Sequence, residues 1–190
     1  MPQIPPPRAD TELTPSDHVV LGMISLGAST GYAIKQTVER SIRFFWTISQ
    51  AQIYPSLQRL EQVGLIRGRD APRGRRPRRE FALTRAGRAA LVEWMRADEE
   101  IPFELRDTGM LKLFFADTLA PDDAAALLER VRERSAGRLR ALRAIEPEAQ
   151  RAAQGGNLHP LLTLEMGMSF TQAMVDVCES FAERLAAGAR

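Results

Sequence analysis

Residues 47–84 read TISQAQIYPSLQRLEQVGLIRGRDAPRGRRPRREFALT. Ile53, Leu57 and Leu60 recur at four and three residues, so they share one face of a helix. Gly64 suits a left-handed stop, after which Leu65 and Ile66 begin a strand. The polar DAPRGRRPR segment turns, and REFAL returns as a second strand. Gln50, Gln52, Ser56 and Arg59 are left for the other faces of the helix, where amides can meet base edges and a guanidinium can meet guanine or phosphate. Arginines at 67, 69, 73, 75, 76, 78 and 79 form the densest positive cluster in the chain. A helix beside a basic hairpin is the arrangement of a winged DNA reader, with Arg73, Arg75, Arg76, Arg78 and Arg79 docking on phosphates. The plain alternative for an arginine tract is a solvated loop, which needs no particular relation to a helix–turn–strand unit.

Composition makes that cluster a local feature. The chain has 190 residues and a net charge of only +2, so acidic residues elsewhere balance the arginines. At 44% hydrophobic and 26% charged it is a folded globular sequence, long enough for one ample core or two small domains. Cys178 is the single cysteine, which excludes an intrachain disulfide and suits a core or interface position, and the two histidines, His18 and His159, lie far apart. No cofactor is expected. No apolar run approaches membrane-spanning length and the first residues lack a secretory hydrophobic segment, so no membrane partner and a cytoplasmic location are expected.

Before the opening stretch, the prolines at 2, 5, 6 and 7 mark residues 1–13 as a flexible arm. Thr14, Pro15 and Asp17 are a helix start with hydroxyl cap, first-turn proline and carboxylate. Thr30 caps a second helix whose core side is expected to include Tyr32 and Ile34, with Gly31 giving room for a tight entry against the first helix. Lys35 is a phosphate candidate on that helix. Phe44, Phe45 and Trp46 are expected to pack against the helices or wall a groove, because a duplex keeps its bases stacked. Ser49 caps the third helix. Pro55 removes a backbone hydrogen bond within it, so a kink or a short separate turn is expected near residues 53–55.

At this point the chain resembles PadR-family transcriptional regulators. The resemblance rests on GYAI at 31–34, FFWTIS at 44–49, IYPSLQRLEQVGLI at 53–66, and REFALT at 79–84 before RAG. Where the family's wing commonly carries an aromatic pair, this chain has Arg79 and Glu80 before Phe81. The resemblance implies a homodimer that binds double-stranded operator DNA through winged helix-turn-helix domains, commonly as a repressor released by a small-molecule effector. It also places recognition-helix contacts around Ser49, Gln50, Gln52, Tyr54, Pro55 and Arg59. Aromatic walls of ligand sites in some members point to Trp94, with Phe45 and Phe103 as further candidates.

After Thr84 a helix carries Leu91, Val92, Trp94 and Met95 as apolar area. The IPFEL stretch separates the reader from a second helical region. There, Leu128, Val131, Ser135, Leu139, Leu142 and Ile145 recur at three- and four-residue intervals, a seam expected to end at Pro147 and QGGN. A last helix beginning near His159 carries Leu164, Met168, Phe170, Met174, Val177, Cys178, Phe181 and Leu185, an apolar face too broad for isolated exposure. These two helices are expected to pack within the chain and also to dimerise, through Leu128, Val131, Leu139, Leu142, Leu164, Met168, Met174, Val177, Phe181 and Leu185. The expected organisation is a mainly α protein with an arm at 1–13, a winged helix-turn-helix DNA-binding domain at 14–98 and a helical dimerisation and effector-response domain at 99–190. No Walker loop, dinucleotide fingerprint or serine elbow is present, so an enzyme is not expected. The alternative is a helical protein-interaction module that makes dimers without salt-sensitive DNA affinity.

Overall fold

The computed structural model describes residues 12–71, 78–97 and 104–188. Two compact units divide the chain, residues 1–100 and 101–190. The first contains α1 (Pro15–Ser25), α2 (Gly31–Arg40), α3 (Gln50–Gln62), β1 (Ile66–Ala71), β2 (Arg78–Leu83) and α4 (Arg85–Arg96). The second contains α5 (Thr108–Phe114), a 3-10 turn at Ala116–Thr118, α6 (Pro121–Gln154) and α7 (His159–Gly188). It is a mainly α fold with an amino-terminal winged helix-turn-helix unit and a helical carboxyl-terminal unit. Among the described residues no helix is long and apolar enough to cross a membrane.

The first unit is built on caps and one apolar core. Asp17 accepts from Thr14 N at 2.9 Å and Thr14 Oγ1 accepts from Asp17 N at 3.3 Å, the reciprocal box expected from the sequence. Thr30 Oγ1 accepts from Ala33 N and opens α2 with a single cap bond. Val20, Leu21, Ile34, Ile53, Leu57, Leu60 and Ile66 then meet in the core. Gly64 has φ 77° and ends α3 as the sequence indicates. β1 and β2 pair antiparallel with Ile66 opposite Leu83, and Phe81 N donates to Ser29 O at 2.7 Å, which ties the hairpin to the turn between α1 and α2.

The start of α4 lies directly on the turn between α3 and β1. Thr84 N donates to Leu65 O at 3.0 Å, Thr84 Oγ1 donates to Gly64 O at 2.8 Å, and the same hydroxyl accepts from Gly87 N at 3.0 Å. Gly87 is buried, and a Cβ there would fall well inside contact distance of Leu65 O and 2.9 Å from its carbonyl carbon.

Several side chains depart from the sequence expectations. Tyr32 is exposed, its hydroxyl accepting from Gln36 Nε2 at 2.8 Å; only Ile34 of that pair enters the core, because Tyr32 falls on the opposite side of the helix. Gly31 gives room to Tyr54 rather than to α1, since a Cβ would lie 2.9 Å from Tyr54 Cε1. Phe45 and Trp46 are exposed, with Phe44 and Phe45 meeting edge to face at 4.7 Å. Of the apolar residues expected from α4, Leu91 is buried while Val92, Trp94 and Met95 are exposed. Pro55 stands on the exposed side of α3, which continues through it without a separate preceding turn.

In the second unit, α6 and α7 fold back on each other through residues 155–158, with Gly156 at φ 95°. Leu128, Val131, Ser135, Leu139 and Leu142 of α6, and Leu164, Thr171, Val175 and Cys178 of α7, are buried. The two buried hydroxyls bond within their own helices, Ser135 Oγ to Val131 O at 3.0 Å and Thr171 Oγ1 to Gly167 O at 2.7 Å. Burial pushes the Cys178 thiol up, away from the reactive thiolate. Pro147 does not end α6: the helix runs on to Gln154, and Arg151 Nε donates to Pro147 O at 3.2 Å. The cost of one missing amide, about 3 kcal/mol, falls on a 34-residue helix whose apolar side is packed.

Candidate nucleic-acid interface

Helix α3 divides cleanly. Ile53, Ser56, Leu57 and Leu60 are buried, whereas Ser49, Gln50, Gln52, Tyr54, Pro55 and Gln58 are exposed. Ser56 therefore belongs to the packed side rather than to the outer surfaces suggested by its polarity, since its position is one turn before Leu60. The start of the helix is fixed by Gln52, whose Oε1 accepts from Ser49 N at 2.9 Å and from Ser49 Oγ at 3.0 Å. Tyr54 is held against the Gly31 backbone. Amides, a phenol and a hydroxyl thus occupy one outward helix surface, the groups that can exchange hydrogen bonds with base edges and sugar-phosphate.

The cations around this surface fall into two groups. Arg59 turns inward to Asp17, which is fully buried: Arg59 Nη2 lies 2.8 Å from Asp17 Oδ1, and Arg59 Nε 3.0 Å from Oδ2. Burial pushes the Asp17 carboxyl up, but the Arg59 guanidinium, Thr14 and Ser56 pull it down, and the balance lies below its usual value. Arg79 is likewise engaged, with Nη2 donating to Glu61 Oε1 at 2.7 Å and its guanidinium 5.9 Å from the Phe81 ring. Lys35 lies 3.7 Å from Glu39 in an open i,i+4 pair, which solvent screens strongly.

Arg67 and Arg69 belong to the other group. Strand register puts Arg67 opposite Ala82 and Arg69 opposite Glu80 on one face of the hairpin, and Gly68 opposite Phe81 and Asp70 opposite Arg79 on the other. Arg67 and Arg69 are exposed. Arg78 opens β2 opposite Ala71. Arg73, Arg75, Arg76 and Phe103 lie outside the described residues. Of the aromatic ligand candidates, Trp94 stacks on His18 at 4.5 Å with planes 11° apart, whereas Phe45 has Phe44 as its ring neighbour. The His18–Trp94 stack and the Asp17–Arg59 pair could not be read from sequence, because both join residues far apart in the chain.

The sites of the expected dimer seam also separate. Leu128, Val131, Leu139, Leu142 and Leu164 are buried within the unit, Met168 and Met174 are half-buried, and Val177, Phe181 and Leu185 are exposed. With Leu162, Met166 and Phe170 of α7 and Leu158 just before it, they form an outward apolar stripe with residues four or seven positions apart.

Comparison with known proteins agrees with this architecture. Residues 20–93 match the Transcriptional regulator PadR-like family, and residues 105–186 match the Virulence activator alpha C-term family. The Negative transcriptional regulator PadR of Bacillus subtilis (strain 168) is 29% identical over 113 residues, a match spanning 59% of this chain and 62% of that protein. A probable transcriptional regulator of Mycobacterium tuberculosis is 27% identical over 192 aligned positions, covering 88% of this chain and 96% of the relative. The crystal structure of Bacillus subtilis PadR in complex with operator DNA superposes with a TM-score of 0.83 at 22% identity, covering 92% of this chain and 99% of that one. The same Bacillus protein in complex with p-coumaric acid gives a TM-score of 0.72 at 21% identity, over 92% and 99% of the two chains. Over residues 20–93, then, the chain is similar to the PadR-like family of transcriptional regulators, and its fold is that of Bacillus subtilis PadR.

Proposed function

We propose that the protein is a homodimeric, cytoplasmic repressor that reads double-stranded operator DNA with α3 and docks on phosphates with the outer face of its wing. The carrying observation is the exposed row Ser49, Gln50, Gln52, Tyr54, Pro55 and Gln58 beside the outward Arg67 and Arg69. Gln50 supplies an amide donor and acceptor to base edges and Gln52 its amide donor; Lys35, Tyr54, Arg67, Arg69, Arg73, Arg75, Arg76 and Arg78 serve the backbone. Two copies joined through their α7 stripes present two such readers to a two-fold site. Bacillus PadR binds operator DNA and p-coumaric acid, so a small aromatic acid is the ligand class to test here, with Phe45 and Trp94 of the amino-terminal unit as candidate walls. Such a ligand acts by favouring a dimer geometry that no longer fits the operator.

Selection from a random duplex pool should enrich a two-fold motif. Against that duplex, Arg75→Ala/Arg76→Ala/Arg78→Ala should weaken binding, and the plot of log K against log salt should become shallower by about 0.9 for each phosphate contact removed. An unchanged slope rejects the docking role of these arginines. For the dimer, Val177→Glu/Phe181→Glu puts charge on the exposed stripe and leaves the buried face of α7 intact. Sedimentation should show monomers of undiminished helix content; a persistent dimer would move the interface elsewhere.

A further inference from the structure

The carboxylate of Glu61 joins three parts of the reader. It belongs to the last turns of α3, yet its Oε1 accepts from Gly68 N of β1 at 2.9 Å and from Arg79 Nη2 of β2 at 2.7 Å. Arg79 in turn lies 3.8 Å from Asp70 across the hairpin and over the Phe81 ring. The Arg79 hydrogen bond draws the Glu61 carboxyl below its ordinary value, with the Gly68 amide adding to it, so the group is charged wherever the chain binds DNA. Gly68 keeps the space open: a Cβ there would lie 2.5 Å from Arg79 Nε and 2.6 Å from Glu61 Oε1. These contacts are on the hairpin face opposite Arg67 and Arg69.

We infer that Glu61 is a positioning residue for DNA reading, locking the wing onto α3 through Gly68 and Arg79, and that Arg79 serves this lock rather than a phosphate. The inference rests on the DNA-reading proposal above. The lock makes the helix surface and the outer arginines one preset body, so that less ordering is left to binding.

The full-length protein carrying Glu61→Ala or Arg79→Ala is titrated with the duplex recovered by the wild type, across a salt series. Circular dichroism ensures that each variant is folded at the assay temperature. If the unlocked wing holds the competent pose about one-tenth of the time, each variant binds roughly tenfold more weakly. The salt slope stays at the wild-type value, and the double variant is no worse than either single one. A simple phosphate contact by Arg79 makes the opposite forecast: Arg79→Ala flattens the slope by about 0.9, and Glu61→Ala, removing a repulsive charge, binds as well as wild type or better. Either result overturns the lock. Absence of any salt-dependent duplex binding by the wild type is a separate outcome, which removes the DNA-reading proposal itself and this inference with it.

Discussion

Gly87→Ala should destabilise the amino-terminal unit by more than about 3 kcal/mol, toward the upper end of what overpacking costs. An alanine inside a helix ordinarily stabilises by about 1 kcal/mol over glycine, so helix propensity alone forecasts the opposite sign. Space decides. The new methyl group would meet the Leu65 carbonyl, a backbone group already accepting from Thr84 N and Thr84 Oγ1. Neither side can yield cheaply, since Leu65 belongs to the core behind Gly64 and Thr84 caps the helix that carries Gly87. Urea denaturation of the full chain gives the measurement. A midpoint at or above that of the wild type would show that α4 can lift off the turn, and the close approach would then lose its structural meaning.

Asp17→Asn is the second large effect expected, about 3 kcal/mol at neutral pH, the lower end for removing one partner of a buried pair because Arg59 is partly open to solvent. The asparagine keeps the volume and one acceptor oxygen, but it cannot serve Arg59 and Thr14 together as a charged carboxylate does. The pH dependence carries a sign. Asp17 has a lowered value when folded, against about 3.9 for an unfolded aspartate. Its contribution is fully present above the unfolded value and is lost as pH falls through the folded one. Wild type and variant should therefore converge in stability on acidification. A constant gap down to strongly acid pH would mean that the charge of Asp17 contributes nothing to the pair.

Local chemistry was legible in the sequence, and long-range partnership was not. The Thr14–Asp17 box, the Ser49 start, the Gly64 stop and the two strands around the arginine tract are all set by residues within a few positions of one another. Arginine roles are different, because every guanidinium reads alike until its neighbours are known. Arg59 meets a carboxylate 42 positions away, and Arg79 meets Glu61 18 positions away. Spacing also found α6 and α7 as apolar helices, but it could not assign Leu164 to the inside and Phe181 to the outside. Both belong to one broad apolar surface until a neighbouring helix divides it. Pro147 misled for a related reason: a local rule forecasts interruption, and packing on the flanking turns outweighs one lost hydrogen bond.

The division of α3 bears on how such a protein can change its target. Positions 53, 56, 57 and 60 are fixed by packing, 59 and 61 by ion pairs, 52 by the Ser49 cap and 54 by its approach to Gly31, while 50 and 58 have their side chains in the open. Substitutions at the open positions leave the core filled and the helix caps intact. After gene duplication, two copies can diverge in the DNA they prefer while their stability drifts little, so evolvability is confined to one helix surface a few residues wide.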